Sequence, residues 1–342
     1  MKKIFISLGI LIILAAVFAS LFIQAAWFST EGAGEPVTVV VTEDMTPDDV
    51  RDLLVETGLV SSPALYDLFA RIDRSALHPK AGEYAFRKGA SYQKIADTIA
   101  LGPQRDELTL RFVEGKTIDE NAQALLAHGA DPADYRRIAG ASKNLREFDR
   151  ALESDFDFLR GIPDGQSLEG YLFPDTYNVW KDQLPDGLIR KQLRTFAGKV
   201  IIPYEDERKA SGMTWHEVLT LASIVEAEVD TPEDRAHVAS VFLNRLRDGM
   251  RLQSDATIDY VVGEGRSRAT AEDLQLDSPY NSYRRDGLPP GPINNPGLDA
   301  ITAVLNPAAA DDLFFLTDEE GKVYYAQTLE EHQRNREEAY GS

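Results

Sequence analysis

Apolar residues run almost unbroken from Ile4 to Phe28, relieved only by small or polar positions such as Ser7, Ser20 and Gln24. About 20 apolar residues suffice to cross a bilayer, so this run predicts a transmembrane helix. A cleaved signal peptide would have a shorter apolar core and small residues at alternating exit positions; Ile23-Gln24-Ala25-Ala26 fits that poorly. An uncleaved single-pass anchor is expected. Lys2 and Lys3 precede the run and should stay cytoplasmic, leaving everything after about Ser29 outside the inner membrane.

Past the anchor the pattern shifts to short alternating elements. Val37 to Val41 is β-branched, a strand signal, and Thr46 before Pro47 opens a capped helix. Gly82 to Phe86 reads as a second strand, and Ser91 caps a helix from Tyr92 to Leu101. Leu108 to Val113 predicts another strand, Gly115 and Thr117 start the next helix, and helical text rich in Ala and Leu continues to about Leu152. Helices then run through Phe196 toward Glu226, with short strands at Leu313 to Leu316 and Val323 to Ala326. No fixed-period repeat or low-complexity block interrupts this. The expected fold class is α+β: an N-terminal transmembrane helix over 1–29, a small α/β module over 30–105, and a larger mixed, mainly helical domain with small sheets over 106–342.

One helix carries a chemical oddity. In Leu221-Ala-Ser-Ile-Val-Glu226-Ala-Glu228, Glu226 shares a helical face with Leu219, Ala222 and Val229, while Glu217 and Glu228 project from the opposite side. Partial burial disfavours the carboxylate, so such an acid can stay protonated near neutrality and donate to a leaving group. The plainer alternative is a Glu at the edge of an amphipathic helix, reaching out to water. After the breaker Thr231-Pro232 a second amphipathic helix runs from Asp234 to about Asp248, turning Val238, Val241, Phe242 and Leu246 inward, with Gly249 in the C-terminal capping position.

The text beyond is loop-like. Met250 to Tyr260 and Ser278 to Tyr283 lead to Gly287-Leu-Pro-Pro-Gly-Pro-Ile-Asn-Asn-Pro-Gly297, too rich in Pro and Gly for a helix or central strand. Tyr, Asn, Gln and Asp gathered in loops beside a helical acid suit a carbohydrate cleft: aromatic faces for sugar rings, amides and carboxylates for hydroxyls. Equally, the tyrosines could be core and the polar groups turn caps.

Composition narrows the chemistry. The 342 residues contain no cysteine, which removes disulfides, thiol nucleophiles and zinc-thiolate sites together. A net charge of −20 argues against nucleic acid as a partner. His78, His128, His216, His237 and His332 show no metal-ligand spacing.

Five pieces occur in an order and spacing similar to one family. They are Ser167 to Tyr177 (SLEGYLFPDTY), Leu221 to Glu226, Val241 to Leu246 with Gly249 to Asp255, Tyr280 to Tyr283, and Gly287 to Pro292. The chain thereby resembles the MltG-type (YceG-like) endolytic murein transglycosylases over nearly its whole length. Two departures stand out: Ala256 where that family often has Pro, and no His after Gly321, although His332 fits the family's ending.

The resemblance implies that Glu226 is the catalytic acid and that residues 30–105 form a LysM-like module. It places Gln253, Asp255, Tyr280, Asn281 and Tyr283 in sugar binding or in positioning Glu226, and leaves Glu169 and Tyr171 to hold the fold or line the cleft. It calls for no metal or organic cofactor. The implied substrate is the glycan strand of peptidoglycan, cut near the membrane to leave 1,6-anhydro-muramoyl ends, with peptidoglycan synthases (penicillin-binding proteins) as partners. Two rivals stay open. A noncatalytic envelope protein would use Glu226 only structurally, and an ordinary muramidase would need a second carboxylate such as Asp255 or Asp259. A pyridoxal-phosphate lyase, a label sometimes given to such sequences, fits neither the anchor nor the acidic motif.

Overall fold

The computed structural model describes residues 17, 19–20, 22–28, 34–103, 106–140, 147–263 and 270–341. Two compact units divide the chain, Met1–Arg105 and Asp106–Ser342.

In the first unit strand β1 (Pro36–Val41) is followed by helices α1 (Pro47–Glu56) and α2 (Pro63–Ile72), then by strand β2 (Gly82–Arg87) and helix α3 (Tyr92–Leu101). β1 and β2 pair antiparallel with Val39 opposite Tyr84. Thr46 and Asp49 form a reciprocal capping box at the start of α1, a device that stabilises a helix by about 1 kcal/mol. α2 has no counterpart among the expected elements, although Ser62 caps it and Pro63 opens it. Val39, Leu54, Phe69 and Ile95 are fully buried between strands and helices. Trp27, from the end of the apolar N-terminal run, packs edge-on against Phe69 at 5.8 Å between ring centroids. Most of the expected anchor, residues 1–16, lies outside the described residues; among those described, no helix is long and apolar enough to cross a membrane.

The second unit opens with strand β3 (Glu107–Arg111) and helices α4 (Ile118–Ala124) and α5 (Pro132–Ala139). Strand β4 (Thr176–Trp180) then pairs antiparallel with β3, Leu110 opposite Tyr177. Helices α6 (Asp186–Phe196), α7 (Glu205–Ser211), α8 (Trp215–Glu228), α9 (Pro232–Arg247), α10 (Asp255–Val262) and α11 (Leu298–Leu305) follow. The chain closes with the hairpin β5 (Phe314–Thr317) and β6 (Val323–Ala326) and with helix α12 (Leu329–Tyr340). Two-stranded pairs are marginal by themselves, and each of these leans on helices.

Helix α8 is the axis of this unit. His216 and every residue from Val218 to Val225 are buried, because α9, α10 and α11 pack around it. The expected amphipathic helix is therefore covered on nearly all sides, as core helices are, with His216, Thr220 and Ser223 among its buried residues. Three further expectations change. Thr231-Pro232 is the N-cap and first turn of α9 rather than a break before it. Asp255, expected in a loop, is the first residue of α10. The helical text before Leu152 is split into α4, α5 and short 3-10 turns at Leu125–His128 and Arg150–Ser154.

Candidate active site

The site begins with the Pro/Gly-rich segment 287–297, an ordered strap that clasps α8. Ile293 N–H donates to Ser223 Oγ at 2.9 Å, and Asn294 Nδ2 donates to the Ser223 carbonyl at 2.8 Å. Asn295 is the strap's anchor. Its Oδ1 accepts from the backbone of Gly170 and Leu172, both at 3.0 Å, and its Nδ2 donates to the Lys116 carbonyl at 2.9 Å and to Glu169 Oε1 at 2.8 Å. Glu169 in turn accepts from Ile118 N–H at 2.9 Å, at the start of α4. Gly170 has φ +86, and a Cβ there would sit 2.5 Å from Pro292, so only glycine fits. Tyr171 reaches His216 Nδ1 at 3.1 Å, and the other nitrogen of His216 meets the Pro290 carbonyl at 2.8 Å. Thus Leu168-Glu-Gly-Tyr171 holds the fold, and His216 is a strut between α8 and the strap.

What the strap delivers is the backbone N–H of Gly297, which donates to Glu226 Oε2 at 2.9 Å. The other oxygen, Oε1, accepts from Arg235 Nη2 at 2.6 Å, with the two side chains 6% and 14% exposed. Arg235 is itself steadied by its Nε on the Val229 carbonyl at 3.2 Å. Burial pushes the Glu226 carboxyl above the usual range, against the pull of the Gly297 N–H and the Arg235 cation and with help from Glu114 and Asp299. A Cβ on Gly297 would come within 2.7 Å of Glu114 Cγ. A side chain there would have to displace Glu114 and would sit 3.4 Å from Glu226 Oε2.

Glu226 opens into a cleft of about 710 Å³ with Arg111, Glu114, Asp175, Lys199 and Asp299 on its walls. Lys199 is paired with Asp175 at 2.7 Å, whereas Arg111 makes no salt bridge among the described residues. Gly115, where an added Cβ would lie 3.6 Å from Glu226 Cγ, and Ala227, the residue after Glu226, line a second cleft of about 830 Å³ with Lys116, Asp259, Tyr260 and Asn294. Glu226 therefore stands where two clefts adjoin.

The other residues singled out from sequence lie elsewhere. Asn281 is fully buried, its Nδ2 on the Leu274 and Leu276 carbonyls, and Tyr280 is buried against Tyr260 at 5.0 Å. Tyr283 donates its hydroxyl to Asp255; it and Gln253 line a third cavity, toward α12, that Glu226 does not reach. Arg235, Gly297, Asn295 and Glu114 were not anticipated. Asn294-Asn295-Pro-Gly297 at the end of the strap was the available signal, since amides inside a Pro/Gly loop commonly satisfy backbone groups. Among the described residues no group of three or more His, Asp or Glu side chains is placed to hold a metal ion.

Glu228 is the surprise of α8. Expected on the face opposite Glu226, it is largely covered and receives the Ser254 hydroxyl, and burial raises its carboxyl to about 7. The native state then binds a proton that the unfolded chain releases near pH 4.5, so stability should fall as pH rises from about 4.5 to about 7 and level off above. A shift of this size corresponds to roughly 3 kcal/mol. Denaturant melts of wild type and Glu228→Gln across pH 4–8 should converge at low pH and separate above it, with the variant the flatter. Parallel curves would show that Glu228 is ordinary.

A family model described as YceG-like matches residues 39–338. The chain belongs to the YceG-like family. A relative in Bacillus subtilis (strain 168), named endolytic murein transglycosylase, is 31% identical over 316 residues, covering 90% of this chain and 85% of that one. A Streptococcus pneumoniae serotype 2 protein of the same name is 35% identical over 321 residues, covering 87% of this chain; the chain spans 57% of its length. A crystal structure of a YceG-like protein from Listeria monocytogenes superposes with a TM-score of 0.59 at 30% identity, covering 89% of this chain and all of that one. This YceG-like chain thus shares both sequence and fold with its relatives along most of its length.

Proposed function

We propose that this YceG-like protein is a membrane-anchored endolytic lytic transglycosylase of peptidoglycan, with Glu226 as its acid and base. The observation that carries this is one buried carboxyl, held by a backbone N–H and an arginine, at the junction of two open clefts. A strand can lie along both clefts with an internal bond at Glu226. The protonated acid donates to the glycosidic oxygen between MurNAc and GlcNAc as the C1–O bond breaks. The resulting carboxylate takes the proton of the same MurNAc's C6 hydroxyl while that oxygen closes on C1, giving a 1,6-anhydro end and no net uptake of water. Arg235 and the Gly297 N–H stabilise the carboxylate between the two steps and fix its rotamer.

The family names and the site support the same substrate. The small unit serves as a LysM-like glycan-binding module, the N-terminal run as a single-pass inner-membrane anchor with a cytoplasmic N-terminus, and peptidoglycan synthases as partners that the cut relieves of a finished strand. Digesting purified glycan strands with the full chain in detergent and weighing the fragments tests the reaction. Ends lighter by one water than a reducing sugar support it; reducing ends would mean hydrolysis. Glu114 and Asp299, the carboxylates that share the Glu226 cleft, would then be the second groups to replace, ahead of Asp255 and Asp259.

Activity should fall as pH rises through the Glu226 pKa, since the acid form starts the reaction. Arg235 pulls that pKa down; Arg235→Gln should therefore move the alkaline fall to higher pH while lowering the plateau about tenfold through lost orientation. A pH–rate profile that only drops, with its limb unmoved, would reduce Arg235 to a structural role.

A further inference from the structure

The third cavity, of about 730 Å³, gathers residues for which the Glu226 chemistry has no use. Arg245 is 7% exposed. Its Nε and Nη1 donate to the carbonyls of Leu313 and Leu252 at 2.6 Å each, yet it forms no salt bridge, and its Nη2 no hydrogen bond, among the described residues. A buried guanidinium without a counter-ion is strongly unfavourable unless a ligand supplies one. Glu228 and the Tyr283 hydroxyl are the groups whose charge acts on Arg245, and burial keeps Glu228 largely protonated below about pH 7.

Three further features converge on the same space. His332 stacks on Phe314 at 5.3 Å between centroids, and its Nδ1 is buried without a hydrogen-bond partner. Phe314 also takes the Arg245 guanidinium at 5.3 Å. Arg336, exposed on α12 and without a salt bridge among the described residues, adds a second cation to the wall, against one carboxylate, Glu337. Gln253 has φ +52, the one positive φ of a non-glycine among the described residues. Such a backbone is strained and persists only where its surroundings hold it. Here Gln253 N–H donates to the Ser282 carbonyl at 3.2 Å and Ser254 N–H to Ser282 Oγ at 3.0 Å, which fixes Gln253 in the cavity wall.

We infer that this cavity is a second ligand site, separate from the Glu226 cleft, that takes an organic carboxylate of sugar-acid or short-peptide size. The Arg245 and Arg336 guanidiniums would engage the carboxylate, and Phe314, Tyr283 and Gln253 its body. A planar guanidinium matches a planar carboxylate, and the volume lies in the range of small-ligand sites. The inference does not depend on cleavage at Glu226. Its test reads His332 directly.

The full chain, labelled with 13C at histidine and held in detergent, is titrated with N-acetylmuramic acid, N-acetylalanine, N-acetylglucosamine and inorganic phosphate. The His332 ring resonance is assigned by its loss in His332→Asn. Saturable movement of that resonance with a carboxylate and not with N-acetylglucosamine is expected, weakened at least about fivefold in Arg336→Gln. A response to both carboxylates would assign the source to peptide ends, and a response to N-acetylmuramic acid alone to a sugar acid. Movement with N-acetylglucosamine as large as with the acid, tighter binding of phosphate, indifference to Arg336→Gln, or no movement at all would overturn the site. None of these readings changes with the outcome of the glycan digest, so the two proposals fail separately.

Discussion

Glu226→Gln is expected to lower glycan cleavage about a thousandfold while leaving the fold intact, the usual scale for losing a positioned acid. The amide keeps the volume and one acceptor oxygen, so it can satisfy either Arg235 or the Gly297 N–H but turns an N–H toward the other. That mismatch should be visible as a small loss of thermal stability and no more, because Glu226 lies at the end of α8 rather than in its centre. The measurement is single-turnover release of anhydro ends from defined strands. Glu114→Gln and Asp299→Asn serve as controls and should retain most of the activity. Undiminished cleavage by the Glu226→Gln variant would sink the catalytic assignment and favour a glycan-binding or scaffolding role.

Asn295→Ala should cost about 4 kcal/mol, the largest effect on stability anticipated from a single side chain here. Truncation leaves the N–H groups of Gly170 and Leu172 unpaired, while the Lys116 carbonyl keeps the Asn295 backbone N–H and Glu169 Oε1 keeps the Ile118 N–H, each losing one of two donors. Buried groups so orphaned cost about 1–3 kcal/mol each before relaxation. Glu169 suffers most: burial already raises its carboxyl well above the usual range, and the Ile118 N–H and Asn295 are the partners that hold it down. Chemical denaturation should show the loss, and cleavage should fall even below the melting point as Gly297 drifts from Glu226. Asn295→Asp separates the causes: it preserves both acceptor contacts but sets a second carboxylate against Glu169. A change under about 1 kcal/mol in Asn295→Ala would mean that the strap is held by its prolines and not by the amide.

Much of this was legible from patterns of a few residues. β1, β2, α1 and α3 follow from β-branched runs and from Thr46, Pro47 and Ser91, because caps and alternation are local signals. The acid in Ala222-Ser-Ile-Val-Glu226 was visible for the same reason. What stayed hidden is non-local. A helical wheel sets Glu228 on the face opposite Glu226 but carries no information that Ser254 closes over it. Gln253, Asp255, Tyr280, Asn281 and Tyr283 are grouped by the resemblance in sugar binding or in positioning Glu226; the fold spreads them, with Asn281 bonded to two loop carbonyls, Tyr280 against Tyr260, and Gln253 and Tyr283 on another cavity. Arg235 opens α9 with no outward sign of function, and its partner is found only once α8 and α9 fold back on each other.

The contacts that hold Glu226 and its strap join residues far apart in the chain: Gly297 to Glu226, Asn295 to Gly170, Asn295 to Lys116. A growing polypeptide therefore carries Glu226 long before it can carry the Gly297 N–H. Until translation has passed the strap, the acid lacks one of its two donors and α8 lacks its clasp, so an unfinished or prematurely terminated copy should be inert. For an enzyme that would cut the wall its own cell depends on, assembly order would itself be a safeguard: fragments ending before residue 297 are expected to be harmless when produced in the envelope, whatever their quantity.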